Sequence, residues 1–253
     1  MSHIWRGRRV ESLDGFMEGL DGEIEETLDT GLRTSDVLDA CDSLSKEIRS
    51  GGCMDLRDAL VKDGAEDPDA ILNALAEGIS REALTAKLMA ELGTDEPFEI
   101  RRVDMRRQHF EGWAPVGVLF HITAGNSPIV APMAAVEGLL SGNINILKVA
   151  GNLGEFATEV LLRLCRTPSI ADRVYMLRIR SSQKDLMRAL MDRADCISAW
   201  GGEEAIEAIR RDAPRGTPVV EWGHKISFAY VTPACFDIGT ARKIARSVCH
   251  NEQ

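Results

Sequence analysis

The sequence predicts an α/β protein, a doubly wound and mostly parallel sheet preceded by a helical region. Three observations carry that expectation. From about residue 115 short apolar runs alternate with amphipathic stretches, the rhythm of strands joined by crossover helices. Before that point apolar residues recur at helical spacing, with glycines between the runs. Chemically useful polar residues also collect where the expected strands end, the edge at which such sheets bind ligands.

The elements follow in order. DGFMEGLDGEIEETLDTGL, TSDVLDACDSLSKEIRSG and DPDAILNALAEGISREALTAKLMAEL read as helices, with Ser35 and Asp67 as plausible starts. They make residues 1–104 a helical region with no chemistry of its own. In residues 105–253 the alternation begins with VGVLFHI and a helix over 128–140. NINILKV then precedes a helix over 155–164, and VYMLRI a helix over 183–191. CISAW leads into a helix over 203–210. TPVVEW and SFAYV close the strand series before a last helix from Asp237. Asn126, Lys148, the pair Gly201 and Gly202, and Glu221 each fall at or just after a strand's end.

Composition excludes several classes. The chain has 253 residues, 44% hydrophobic and 28% charged, enough for a large buried core. Its net charge of −10 argues against a nucleic-acid partner, which needs a basic face. No apolar run approaches the roughly 20 residues of a membrane helix, and the polar start MSHIWRGRRV lacks a secretory pattern. Six scattered cysteines without a CxxC pair, and five dispersed histidines, predict neither a metal site nor a disulfide framework. A cytoplasmic location with reduced thiols is the expectation.

Neither GxGxxG nor GxxxxGK[ST] is present. Gly201 and Gly202 open a helix whose amino-terminal amides attract phosphate, but Glu203 and Glu204 in its first turn would repel it. A tight turn explains that pair equally well. Asn126, two residues before Pro128, is a favoured helix cap.

The block GWAPVGVLFHITAGNSPIVAPMAAVEGLLSGNINILKVAG, residues 112–151, resembles the aldehyde dehydrogenase superfamily. The shared elements are PVGV at 115–118, Asn126 with Pro128, SGN at 141–143, Lys148 at a strand's end, and EWGHK at 221–225. TAGN, GNINILK, GGEEAI and EWGHK are most similar to the fatty acyl-CoA reductases that make long-chain aldehyde for bacterial luminescence, and to their relatives. The resemblance covers residues 105–253.

The resemblance implies the following roles. Asn126 donates its amide N–H to the oxyanion that forms when a thiolate attacks the acyl thioester, a donor typically worth about 2.7–4 kcal/mol of barrier. Lys148 hydrogen-bonds the adenosine ribose of a nicotinamide cofactor. Thr123, Ala124, Gly201, Gly202 and Gly223 fall among the cofactor-contacting positions. Gly151 stands where NAD-preferring relatives carry a glutamate that grips the ribose hydroxyls, so NADPH is expected over NADH. Glu221 matches the general base of the aldehyde oxidisers, and its part in a reductase is open. His224 and Lys225 lie close enough to favour its ionised form.

The mechanism needs a nucleophilic cysteine. Alignment places it just past Gln253, since Cys249 lies inside the last expected helix. Cys196 sits within a strand and Cys235 in a loop. The chain therefore reads as the cofactor-binding part of a reductase, ending before its catalytic loop and its carboxyl-terminal catalytic domain, and inactive alone. An acyl-CoA or related acyl thioester is the expected substrate. A homo-oligomer is left open for the longer protein, because the superfamily closes its dimer with a strand from the missing part. A short-chain CoA-acylating aldehyde dehydrogenase or a semialdehyde dehydrogenase is an alternative. An inactive nucleotide-binding or scaffold protein is a third.

Overall fold

The computed structural model describes residues 2–125, 127–151, 154–223 and 228–251, excluding the side chains of residues 247 and 249–251. The chain opens with a hairpin, β1 (His3–Trp5) and β2 (Arg8–Val10), turned by Arg6 and Gly7, both at positive φ. A side chain at position 7 would collide with Ala171 at 2.6 Å, so only glycine lets the turn lie against it. Five helices follow: α1 (Phe16–Leu28), α2 (Thr34–Arg49), α3 (Met54–Lys62), α4 (Pro68–Gly78) and α5 (Arg81–Leu92). The long apolar stretch after Asp67 is thus two helices. Asp67 caps the first through the Ala70 amide at 2.9 Å, and Ser80 starts the second by accepting from the Ala83 amide. α2 begins at Thr34, one residue before the expected Ser35.

A second hairpin, β3 (Arg101–Asp104) and β4 (His109–Glu111), stands apart from the main sheet. The boundary expected at 104/105 falls inside it. The region before that boundary is helical except for these two hairpins, the first of which joins the sheet.

The alternating part then runs β5 (Val118–Ile122), α6 (Val130–Leu140), β6 (Ile144–Val149), α7 (Phe156–Leu164), the short α8 (Pro168–Ala171) and β7 (Val174–Arg178). It continues with α9 (Lys184–Met191), β8 (Cys196–Trp200), α10 (Glu203–Asp212) and β9 (Val219–Trp222). A 3-10 turn at Pro233–Cys235 leads to α11 (Ile238–Asn251). SFAYV, expected as a strand, forms none among residues 228–231, where Phe228 and Tyr230 are exposed. Among the described residues, 228–231 pair with no strand.

The sheet has the order β2-β1-β7-β6-β5-β8-β9, parallel from β7 to β9, with β1 and β2 antiparallel at one edge. β5, the first parallel strand, sits between β6 and β8. Its carboxyl end is therefore the point where successive connections diverge, the usual ligand crevice of such sheets. Every residue of β6 is buried, as expected of a parallel strand covered on both faces.

Leu147, Val149, Val174 and Met176 face a layer of α6 and α7, over which α2 to α5 are packed. Phe120, Ile146, Tyr175 and Ile197 face α1, α9 and α10. α6 is buried on nearly all sides because it lies between the sheet and the outer helices, which explains its even apolarity.

Candidate cofactor-binding site

The strand ends bring Lys148 and Glu221 to one edge. Lys148 pairs in register with Ile122, Ile122 with Ala199, and Ala199 with Glu221. One row across the sheet therefore carries both charged groups. The spacing of neighbouring strands separates them by about 14 Å. Thr123, immediately past β5, ties the row together: its backbone N–H and its hydroxyl both donate to the Lys148 carbonyl oxygen, at 3.1 and 3.2 Å.

Lys148 is buried to 7% exposure, and burial alone lowers its pKa. It has no carboxylate partner among the described residues. Its side chain lines a cavity of about 480 Å³ between the strand ends and helices α9 and α10. That volume is within the usual range for ligand pockets of about 300–1,000 Å³. The wall also carries Lys184, Arg188 and Arg211 against Asp185 and Asp212. Lys184 approaches Asp212 at 3.8 Å, and Arg211 reaches the same carboxylate at 3.3 Å. Arg188 has no ionic partner among the described residues. The cavity is thus locally basic in a chain of net charge −10. Gly151 follows in a turn, and a side chain there would meet nothing within 4 Å.

Gly202 caps α10 without a side-chain bond, and the Gly201 amide donates to the Trp222 carbonyl at 3.4 Å. Glu203 and Glu204 are exposed in that first turn. Ala124 lies in the segment after β5, and Gly223 just past β9. Glu221 accepts from Arg210 of α10, with Nε at 2.8 Å and Nη2 closer still. The expected neighbours of Glu221, His224 and Lys225, lie outside the described residues, and so does Asn126.

On the opposite face, His121 is buried and its pKa falls to about 4, chiefly through burial. Its Nε2 meets the Asn145 Oδ1 at 3.0 Å, while the Asn145 amide donates to the Asn143 carbonyl. That orients the Asn145 oxygen toward the ring and makes Nε2 the protonated nitrogen. Nδ1 is buried without a partner.

Burial raises the thiol pKa of Cys41 and Cys165 to about 12, and also raises those of Cys53 and Cys196. Those four are packed thiols rather than nucleophiles. Cys235 is exposed in the 3-10 turn, and the Cys249 side chain lies outside the described residues.

The sequence profile described as "Acyl-CoA reductase (LuxC)" matches residues 31–253. This chain belongs to the acyl-CoA reductase (LuxC) family. It is 25% identical over 143 residues to a long-chain acyl-protein thioester reductase of Photorhabdus luminescens, covering 55% of this chain and 30% of that protein. A namesake from Vibrio harveyi is 24% identical over 144 residues, again covering 55% and 30%.

Among solved structures, aldehyde dehydrogenase 21 of Physcomitrella patens superposes with a TM-score of 0.67 at 10% identity, over 89% of this chain and 52% of that one. An acetylating aldehyde dehydrogenase of Geobacillus thermoglucosidasius gives 0.60 at 15% identity, over 83% and 47%. These likenesses give the family member an aldehyde-dehydrogenase-type fold. The chain spans about half the length of those structures, and its match covers under a third of the reductases.

The walls from α9 and α10 were not foreseen as parts of the site. Lys184 and Arg188, four apart on one helix, were a usable signal, but no motif marks which face of α9 meets the strand ends.

Proposed function

We propose that this chain is the cofactor-binding part of an NADPH-dependent reductase that converts a long-chain acyl thioester to the aldehyde. The observation that carries the reading is Lys148, a buried ammonium without a carboxylate partner among the described residues. It lies in a basic cavity at the sheet's divergence point.

The residues fit a phosphate-bearing dinucleotide. Lys148 would donate to the adenosine ribose, and Thr123 fixes the strand end from which it projects. By resemblance, the missing side chain at Gly151 leaves room for a 2′-phosphate, and Arg188 and Lys184 make the cavity wall basic. When bound, the cofactor supplies the hydride. Asn126 would donate to the oxyanion, by resemblance. Glu221, which accepts from Arg210, orders the edge of the site.

Titrating this chain with NADPH and NADH tests the cofactor reading. NADPH is expected to bind more tightly; equal affinity would remove the preference, and binding of neither would remove the proposal. In a protein extended past Gln253, turnover of tetradecanoyl-CoA should exceed that of acetyl-CoA.

A further inference from the structure

The wall of the cavity carries three cations besides Lys148, and they are not equally occupied. Lys184, in the first turn of α9, and Arg211, in the last turn of α10, share the Asp212 carboxylate at 3.8 and 3.3 Å. Arg188 stands one turn after Lys184 on the same face of α9. Its guanidinium has neither an ionic nor a hydrogen-bonded partner among the described residues. Asp185, the other carboxylate of the wall, makes no ion pair there and would repel a phosphate. An additional phosphate therefore needs a cation that nothing else on the wall neutralises.

We infer that Arg188 is the specificity-determining residue for NADPH, its guanidinium taking the 2′-phosphate. This rests on the cofactor reading above, in which Lys148 donates to the adenosine ribose. The 2′-phosphate is borne by that ribose, and Lys148 and Arg188 line one cavity. Lys148 meets the ribose of either cofactor and so binds without choosing between them. Arg188 supplies the choice, because its planar fork matches two phosphate oxygens and gains little from an uncharged hydroxyl.

The test is titration of this chain with two matched pairs: NADPH against NADH, and adenosine 2′,5′-bisphosphate against adenosine 5′-monophosphate. Within each pair only the 2′-phosphate differs. Arg188→Met should weaken the first member of each pair about tenfold, the scale of one hydrogen bond to a charged group, and leave the second unchanged. Arg188→Lys keeps the charge without the fork and should recover part of the loss. Lys148→Met should weaken both members of each pair.

Arg188 is exposed, so its variants should keep the wild-type thermal midpoint. Equal loss of both members of a pair in Arg188→Met would place Arg188 against a part of the nucleotide that they share, and overturns the inference. Unchanged affinity for NADPH overturns it as well. If the wild-type chain binds none of the four, the cofactor reading itself falls. If it binds NADPH and NADH equally, the preference falls; in both cases this inference falls with it.

Discussion

At the scale of single residues, Lys148 defines the site through what it lacks. Burial lowers its pKa below the ordinary 10.5, so the free protein releases this proton earlier than an exposed lysine would. Between the lowered value and 10.5 the unfolded chain holds a proton that the folded one does not. Unliganded stability attributable to this group therefore rises with pH across that window. Donating to the ribose of an anionic dinucleotide favours the charged form, so NADPH affinity should fall as pH rises through the lowered pKa. Lys148→Met should bind about tenfold more weakly or worse, and without that alkaline decline. Isotherms from neutral pH to about pH 10 would check both statements. Lys148 was legible in the sequence because it ends an apolar strand inside a recognisable block. The partner of Glu221 was not, because Arg210 belongs to a helix whose facing no motif records. Arg188 and Arg211 escaped notice for the same reason.

At the scale of elements, the alternation of strands and helices was readable wherever each strand had neighbours to bury it. β5 to β9 all lie within the runs expected of them, and β6 is buried throughout. SFAYV carried the same alternation but found no partner strand, since a period of two describes faces and not edges. The junction of β5 and β6 also imposes an acid limit on the fold. His121 is neutral in the folded state, with a pKa of about 4 against an ordinary 6.5. Its contribution is intact above 6.5 and is lost progressively as pH falls toward 4, because the unfolded chain takes up the proton first. The shift corresponds to about 3 kcal/mol over that window. Denaturant unfolding between pH 7 and 4 should show this decline, and His121→Gln should be less stable at neutral pH but flatter across the same range.

At the scale of the whole molecule, the first ten residues matter more than their length suggests. β1 covers the free edge of β7, and Arg178, deeply buried, accepts a role there: its backbone amide donates to His3 Nδ1 at 3.1 Å and its Nε to the Ser2 carbonyl at 3.1 Å. Removing residues 2–10 would strip partners from a buried guanidinium and open a sheet edge. A loss of about 3–5 kcal/mol is expected, with association of the exposed edges. Denaturant midpoints and light scattering on the shortened chain would show it. This hairpin was barely legible, because three-residue strands are too short for a period and Arg-Gly lacks the usual Asn-Gly signal. The helical layer was legible as helices, though not the bonds by which Asp63 accepts from the Glu155 and Phe156 amides. Trp200 lines the basic cavity on one side of the sheet and the hollow beside His121 on the other, and its ring stacks on Trp222 with centroids 5.6 Å apart. Any molecule that enters the cavity alters the surroundings of that coupled pair of indoles, so the protein's own fluorescence is a built-in gauge of occupancy.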